Sequence, residues 1–134
     1  MSNTPPGLQP FVGQWATLLT TYKRDGTPVG TAVNLAVDGD RAFFRSYNKA
    51  WKARRLRNNP VVEIAPSTLR GKPTGPSVRG EARLLDGEEE LHARRVIAKK
   101  YPLFQRFLIP LGHRLSRYTT MHYEVKLTDV VTPR

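Results

Sequence analysis

"QWATLLTTYKRDGTPVGTAVNLAVDGDRAFFRSY", residues 14–47, decides the fold. Residues 14–23 are rich in Thr, Leu and Tyr, which suit a half-buried pleated surface. Arg24, Asp25 and Gly26 make a tight turn, with Gly26 free to take positive φ. Residues 28–37 alternate, with Val29, Thr31, Val33, Leu35 and Val37 on one face. Asp38, Gly39 and Asp40 turn the chain again, and residues 41–47 make a third strand. Strands joined by turns this short are antiparallel neighbours, so the stretch is a meander.

The pattern continues outward from there. Residues 49–58 are expected to form a short helix, with Asn48 as N-cap and "NNP" at 58–60 as stop, because Pro60 disfavours helix before it. "VVEIAP" at 61–66 and "SVRGEARLL" at 77–85 are strands, linked by the turn-rich "LRGKPTGP". "DGEEELHARRVIAKKY", 86–101, is a helix capped by Asp86, acidic at its start and basic at its end, as the helix dipole prefers. A second helix is expected over "PLFQRFLIPLGHRL", with Leu103, Phe104, Phe107, Leu108 and Leu111 on its apolar face, and a last strand over 120–130. The expectation is one domain, 1–134, mainly β with a few helices. Six antiparallel strands curl into a barrel, which removes exposed edges. Residues 1–12 read as a loose arm.

Composition narrows the function. The 134 residues contain no cysteine, which excludes disulfides, thiolate catalysis and Cys-based zinc sites. No apolar run approaches the length of a membrane span, and "MSNTPPGLQP" lacks the basic-then-apolar signal pattern, so a cytoplasmic location is expected. The formal net charge of +11 calls for an acidic partner, with a merely basic, well-solvated surface as the alternative. That charge concentrates in "SYNKAWKARRLRNNPVVEIAP", 46–66, where Lys49, Lys52, Arg54, Arg55 and Arg57 occur without an acid among them. Lys52, Arg55 and Leu56 share a helical face, with Lys49 one turn back. Leu56 packing inward would hold Lys52 at the barrel rim, where an ammonium, guanidiniums and the Ser46 hydroxyl suit a phosphate and carboxylates.

Familiar catalytic constellations are missing. There is no glycine-rich phosphate loop. His92 and His113 read as surface or cap residues, and His122, out of phase with Met121 and Tyr123, as a surface or dimer contact. None stands at metal spacing, so no metal site is expected. No nucleophile has a base beside it, so an enzyme built on this chain needs a cofactor to carry the chemistry. The chain has no RNP-type aromatic strand, helix-turn-helix or GXXG loop, which argues against nucleic acid as the partner.

Five motifs in order, "DGTPVGT" (25–31), "KARRLRNNP" (52–60), "AP" (65–66), "GKPTGP" (71–76) and "LDGEE" (85–89), resemble the pyridoxamine 5'-phosphate oxidase-like, flavin-binding split-barrel superfamily. Within it the chain is most similar to small actinobacterial oxidoreductases that use the deazaflavin coenzyme F420. The resemblance covers about residues 14–130. It implies a six-stranded split barrel that forms a homodimer, with cofactors in clefts between protomers. Lys52 matches the lysine that binds the cofactor phosphate, and Arg54, Arg55 and Arg57 match basic residues near that cleft. Arg45 and Ser46 match positions along the ribityl-phosphate tail, Val33 and Asn34 the backbone beside the ring, and Ala65, Pro66 and Ser67 a strand end near the cofactor. Asn34 and Ser77 depart from the aromatics many relatives carry, which implies a more open and polar ring pocket.

The implied activity is hydride transfer from the reduced deazaflavin to a small-molecule substrate such as an enone or quinone. The long basic run suits a phosphate followed by an oligoglutamate chain better than FMN, the alternative cofactor. No catalytic residue stands out. Tyr47, Tyr123 or water are the candidate proton donors. An FMN-binding protein or oxidase of the same fold and a non-catalytic deazaflavin-binding carrier are the other readings.

Overall fold

The structure, a computed structural model, describes residues 4–47, 51–102 and 120–128, without the side chain of Tyr47. Lys49, the Asn48 cap, His113 and the expected helix over 102–115 lie outside those residues apart from its first position. The elements run β1 (Ala16–Tyr22), β2 (Pro28–Val33), β3 (Leu35–Asp38), β4 (Arg41–Tyr47), α1 (Trp51–Asn58), β5 (Val61–Ser67), β6 (Val78–Leu84), α2 (Gly87–Lys100) and β7 (Thr120–Leu127). Gly26 and Gly39 take φ of 88° and 62° in the two turns of the meander, where a side chain would be strained.

Seven strands form, not six, in one antiparallel sheet of order β2-β1-β5-β6-β7-β4-β3. The expected strand 28–37 breaks at Asn34, and its halves take different partners. β2 pairs with β1, from Tyr22 opposite Pro28 to Thr17 opposite Val33, while β3 pairs with β4, from Leu35 opposite Phe44 to Asp38 opposite Arg41. β2 and β3 are therefore the two edges of the sheet, yet only Asn34 separates them in the chain. The edges must meet at that residue, so the sheet curls on itself into a split barrel. Periodicity alone runs smoothly through Asn34 because both halves keep their phase; the change of partner is invisible to it.

The barrel interior is one cluster that includes Leu19, Leu35, Phe44, Leu56, Val62, Ile64, Tyr123 and Val125. Fully burying each such aliphatic or aromatic side chain contributes about 1.5–3 kcal/mol. Phe44 and Tyr123, opposite one another on β4 and β7, stack with ring centroids 5.1 Å apart. A second cluster lies outside the barrel, where Ala93 and Ile97 of α2, with Tyr101, cover Ala36, Phe43 and Leu85. Within the arm expected to be loose, residues 8–11 are anchored instead. A 3-10 turn at Gln9–Phe11 forms, and Leu8 and Phe11 join the interior cluster.

α2 corrects two further expectations. His122 does point away from Met121 and Tyr123, but α2 covers that side of β7, so the residue is 3% exposed rather than on the surface. Asp86 sits at the N-cap of α2 in an extended conformation, but its side chain makes no capping bond. His92 is part-exposed, with its Nε2 2.6 Å from Oδ2 of Asp38.

Candidate phosphate pocket at the barrel seam

The seam at Asn34 opens into a pocket of about 140 Å³, lined by Ala32, Val33, Asn34, Arg45, Ser46, Lys52 and Thr120. Four separate local decisions bring these residues together. β2 ends at Val33, β4 carries Arg45 and Ser46 next to β7, α1 places Lys52, and Thr120 opens β7 opposite Tyr47. α1 is set by Ala53 and Leu56, which are buried, so Lys52 is half-buried on the flank beside them.

Two features of this pocket are unusual for a resting protein interior. The Ser46 hydroxyl is buried and has no hydrogen-bond partner among the described residues. A buried hydroxyl left unpaired costs about 1–3 kcal/mol. Burial also lowers the pKa of Lys52, with the Arg55 charge adding to the effect, and among the described residues no carboxylate lines the pocket to offset either. Lys52 and Ser46 thus bring an ammonium and an unpaired hydroxyl to the lining of one small cavity, the two kinds of donor whose natural acceptor is a phosphate oxygen.

The wall beside the pocket is held rigidly from behind. Asn34 Nδ2 donates to the carbonyl of Trp15, 3.1 Å away. The Tyr101 hydroxyl donates to the same carbonyl at 2.7 Å, and its ring meets Trp15 edge-on at 4.8 Å. Lys100 Nζ donates to the carbonyls of Leu35 at 2.6 Å and Phe11 at 2.9 Å, and burial pulls its pKa down to about 8. The end of α2 thus pins the residue after the Asn34 bend, and the N-terminal turn with it.

Five of the residues singled out from sequence, Val33, Asn34, Arg45, Ser46 and Lys52, meet in this one pocket. The others do not. Arg54 and Arg55 line a different groove with Lys23, Arg24, Trp51 and Asn58. Arg57 is exposed on α1, with its charge felt at Tyr123. Ala65, Pro66 and Ser67 end β5 and are buried, two strands from Val33: Thr17 of β1 faces Val33 on one side and Pro66 on the other. That puts them roughly 10 Å across the sheet from the pocket. Ser77 lines a third cavity, with Ala65 and Glu63. Tyr123 is buried against Phe44 and its pKa is raised by burial, so its hydroxyl does not line the pocket. Ala32 and Thr120 were not foreseen. Thr120 reaches the site only through the β4–β7 register, which no local pattern reveals.

Residues 8–126 match the family model described as pyridoxamine 5'-phosphate oxidase. No curated protein matches the sequence. Among solved structures, a heme storage protein from Vibrio cholerae superposes with a TM-score of 0.64 at 19% identity, covering 95% of this chain and 91% of that one. A conserved hypothetical protein from Mycobacterium tuberculosis gives 0.61 at 22% identity, with 84% and 72% covered. An F420-H2 dependent reductase gives 0.60 at 15% identity, with 84% and 94% covered. At these identities the likeness is one of fold.

Proposed function

The chain belongs to the pyridoxamine 5'-phosphate oxidase family, and we propose that it is a reductase that holds the deazaflavin F420 and delivers a hydride to a small conjugated electrophile such as an enone or quinone. The observation that carries this reading is the unpaired Ser46 hydroxyl beside Lys52 in the seam pocket. The residues present fit the phosphate of such a cofactor: Lys52 supplies the charge, Ser46 the neutral donor, and Arg45 a second cation. When bound, the deazaflavin supplies two-electron hydride chemistry with little reactivity toward oxygen. The chain's own part is to fix the phosphate and hold the Val33–Asn34 backbone still through the Trp15, Tyr101 and Lys100 contacts. It also keeps water from the barrel side.

Two observations favour the deazaflavin over FMN. Arg54, Arg55 and Arg57 continue the positive charge along α1 beyond the pocket, and an F420-H2 dependent reductase has a similar fold. The pocket volume of about 140 Å³ takes a phosphate and its ester. It falls short of the roughly 300 Å³ at which small-molecule sites begin. The rest of the cofactor then needs further wall, which a second copy of the chain in a cytoplasmic homodimer provides.

One observation favours a non-catalytic carrier as the second reading. Among the described residues, the pocket lining contains no carboxylate, histidine or tyrosine to donate a proton. Titrations with F420 and with FMN, on the wild type, Lys52→Ala and Ser46→Ala, test the assignment. The expected result is preferential F420 binding, weakened roughly 10- to 100-fold by Lys52→Ala. Binding of neither cofactor, or binding indifferent to both substitutions, overturns it. Tight binding without turnover of any enone or quinone selects the carrier.

A further inference from the structure

Helix α1 has a second functional side. Trp51, Arg54, Arg55 and Asn58 are spaced three, four and seven apart and form one stripe. Lys52 is turned about 100° away from Trp51 by the helical repeat. The stripe faces Lys23 and Arg24 of the β1–β2 turn across a groove of about 320 Å³.

The groove differs from the rest of the basic surface. Arg41 and Arg83 both have glutamate partners. Among the described residues no carboxylate lines this groove, although four cations do. The nearest acid in sequence, Asp25, uses its carboxylate to accept from the Thr27 amide at 2.9 Å inside the turn. Arg55 is held by the Thr21 hydroxyl, to which its Nε donates. Trp51 is 71% exposed, the largest aromatic surface left in water among the described residues, and the Arg54 guanidinium stands 5.8 Å from its ring centroid. Cations facing one another without a counterion repel, and an exposed indole gains by being covered. One ligand answers both, and the volume reaches the lower end of small-molecule sites.

We propose that this groove is a second binding site, separate from the Lys52 pocket, for a flat ring that carries phosphates, the chemistry of a nucleoside di- or triphosphate. The base lies on the Trp51 indole. The phosphates take the Arg54 and Arg55 forks and the charges of Lys23 and Arg24. Arg54 and Arg55 then serve the nucleotide, in place of the part proposed for them above in favouring the deazaflavin, and the phosphate site at Lys52 and Ser46 is left as it stands.

Isothermal calorimetry with ATP, ADP, tripolyphosphate and triglutamate tests it, on the wild type, Trp51→Ala, Arg54→Gln and Lys52→Ala. These side chains lie outside the core, and circular dichroism checks that each variant is folded. Saturable nucleotide binding is expected, weakened roughly tenfold or more by Trp51→Ala and by Arg54→Gln, and changed far less by Lys52→Ala, whose charge acts only at a distance through Arg55. Tripolyphosphate and triglutamate should bind at least tenfold more weakly than ATP. Equal binding of triglutamate or tripolyphosphate overturns the proposal, because the ring then contributes nothing. Loss of nucleotide binding in Lys52→Ala but not in Arg54→Gln also overturns it, by moving the anion to the seam pocket. So does the absence of any saturable nucleotide binding.

Discussion

The α1 side and the α2 side of this barrel treat charge in opposite ways. On the α2 side charges are answered internally. Glu124 accepts from Arg41 at 2.9 Å and lies 3.4 Å from Arg83, which also pairs with Glu89. His92 bonds to Asp38, and Lys100 is capped by two backbone carbonyls. On the α1 side Lys52, Arg54 and Arg55 have, among the described residues, no carboxylate in the cavities they line. Acids thus answer the cations around α2, and no described carboxylate lines the two cavities on the α1 side. Charge on the first side serves stability, and binding is the role proposed for charge on the second.

Acidification should give the largest effect on the α2 side. Burial, with the Arg94 and Arg45 charges, holds the pKa of His122 down at about 4 against its ordinary 6.5. As pH falls below about 6.5 the unfolded chain takes up this proton, while the folded chain refuses it until about 4. Stability present above pH 6.5 is therefore lost between those values, by roughly 3 kcal/mol at the low end. Urea midpoints at pH 7, 5.5 and 4.5 should fall for the wild type and fall less for His122→Gln; parallel curves would remove His122 from the account. Glu124→Ala comes next. It strips Arg41 and Arg83 of their shared acceptor and should cost about 2 kcal/mol, less than a fully buried pair because both guanidiniums reach water. Cofactor affinity should not change.

Lys52→Ala is the mirror image, expected to lose cofactor binding while leaving the denaturation midpoint equal or slightly higher, since it removes a half-buried cation beside Arg55. If Lys52→Ala destabilises and Glu124→Ala weakens binding, the division of labour between the two sides fails. Tyr101→Phe probes where they connect. Losing the hydrogen bond to the Trp15 carbonyl should cost about 1 kcal/mol, with a small loss of cofactor affinity through Asn34. Glu89→Gln should do least. Its pair with Arg83 is solvated, and no shift of the midpoint is expected in moderate salt.

Much of the site was legible because it is local in the chain. Arg45, Ser46 and Lys52 lie within one strand–helix segment, and the spacing of Lys52 from Leu56 says which residue flanks the buried face. Residues brought in by pairing were not legible. Thr120 enters through the β4–β7 register, and Lys100 and Tyr101 reach the Leu35 and Trp15 carbonyls beside Asn34 only because α2 packs across β3. Arg54 and Arg55 were expected beside Lys52. They line the neighbouring groove because a charge run carries no information about which side of a short helix each member takes until the buried side is fixed.

The sequence by itself determined the two hairpin turns at Gly26 and Gly39, the two described helices, the strand phases and the seat of the positive charge. Each of these is written in a period of two or 3.6 residues, or in a turn residue. Only the tertiary structure decided that the strand through Asn34 changes partners and closes the barrel, that His122 is buried, and that the cations divide between two cavities. Those outcomes depend on which surfaces cover one another, and covering is a property of pairs of segments distant in sequence that no local window contains.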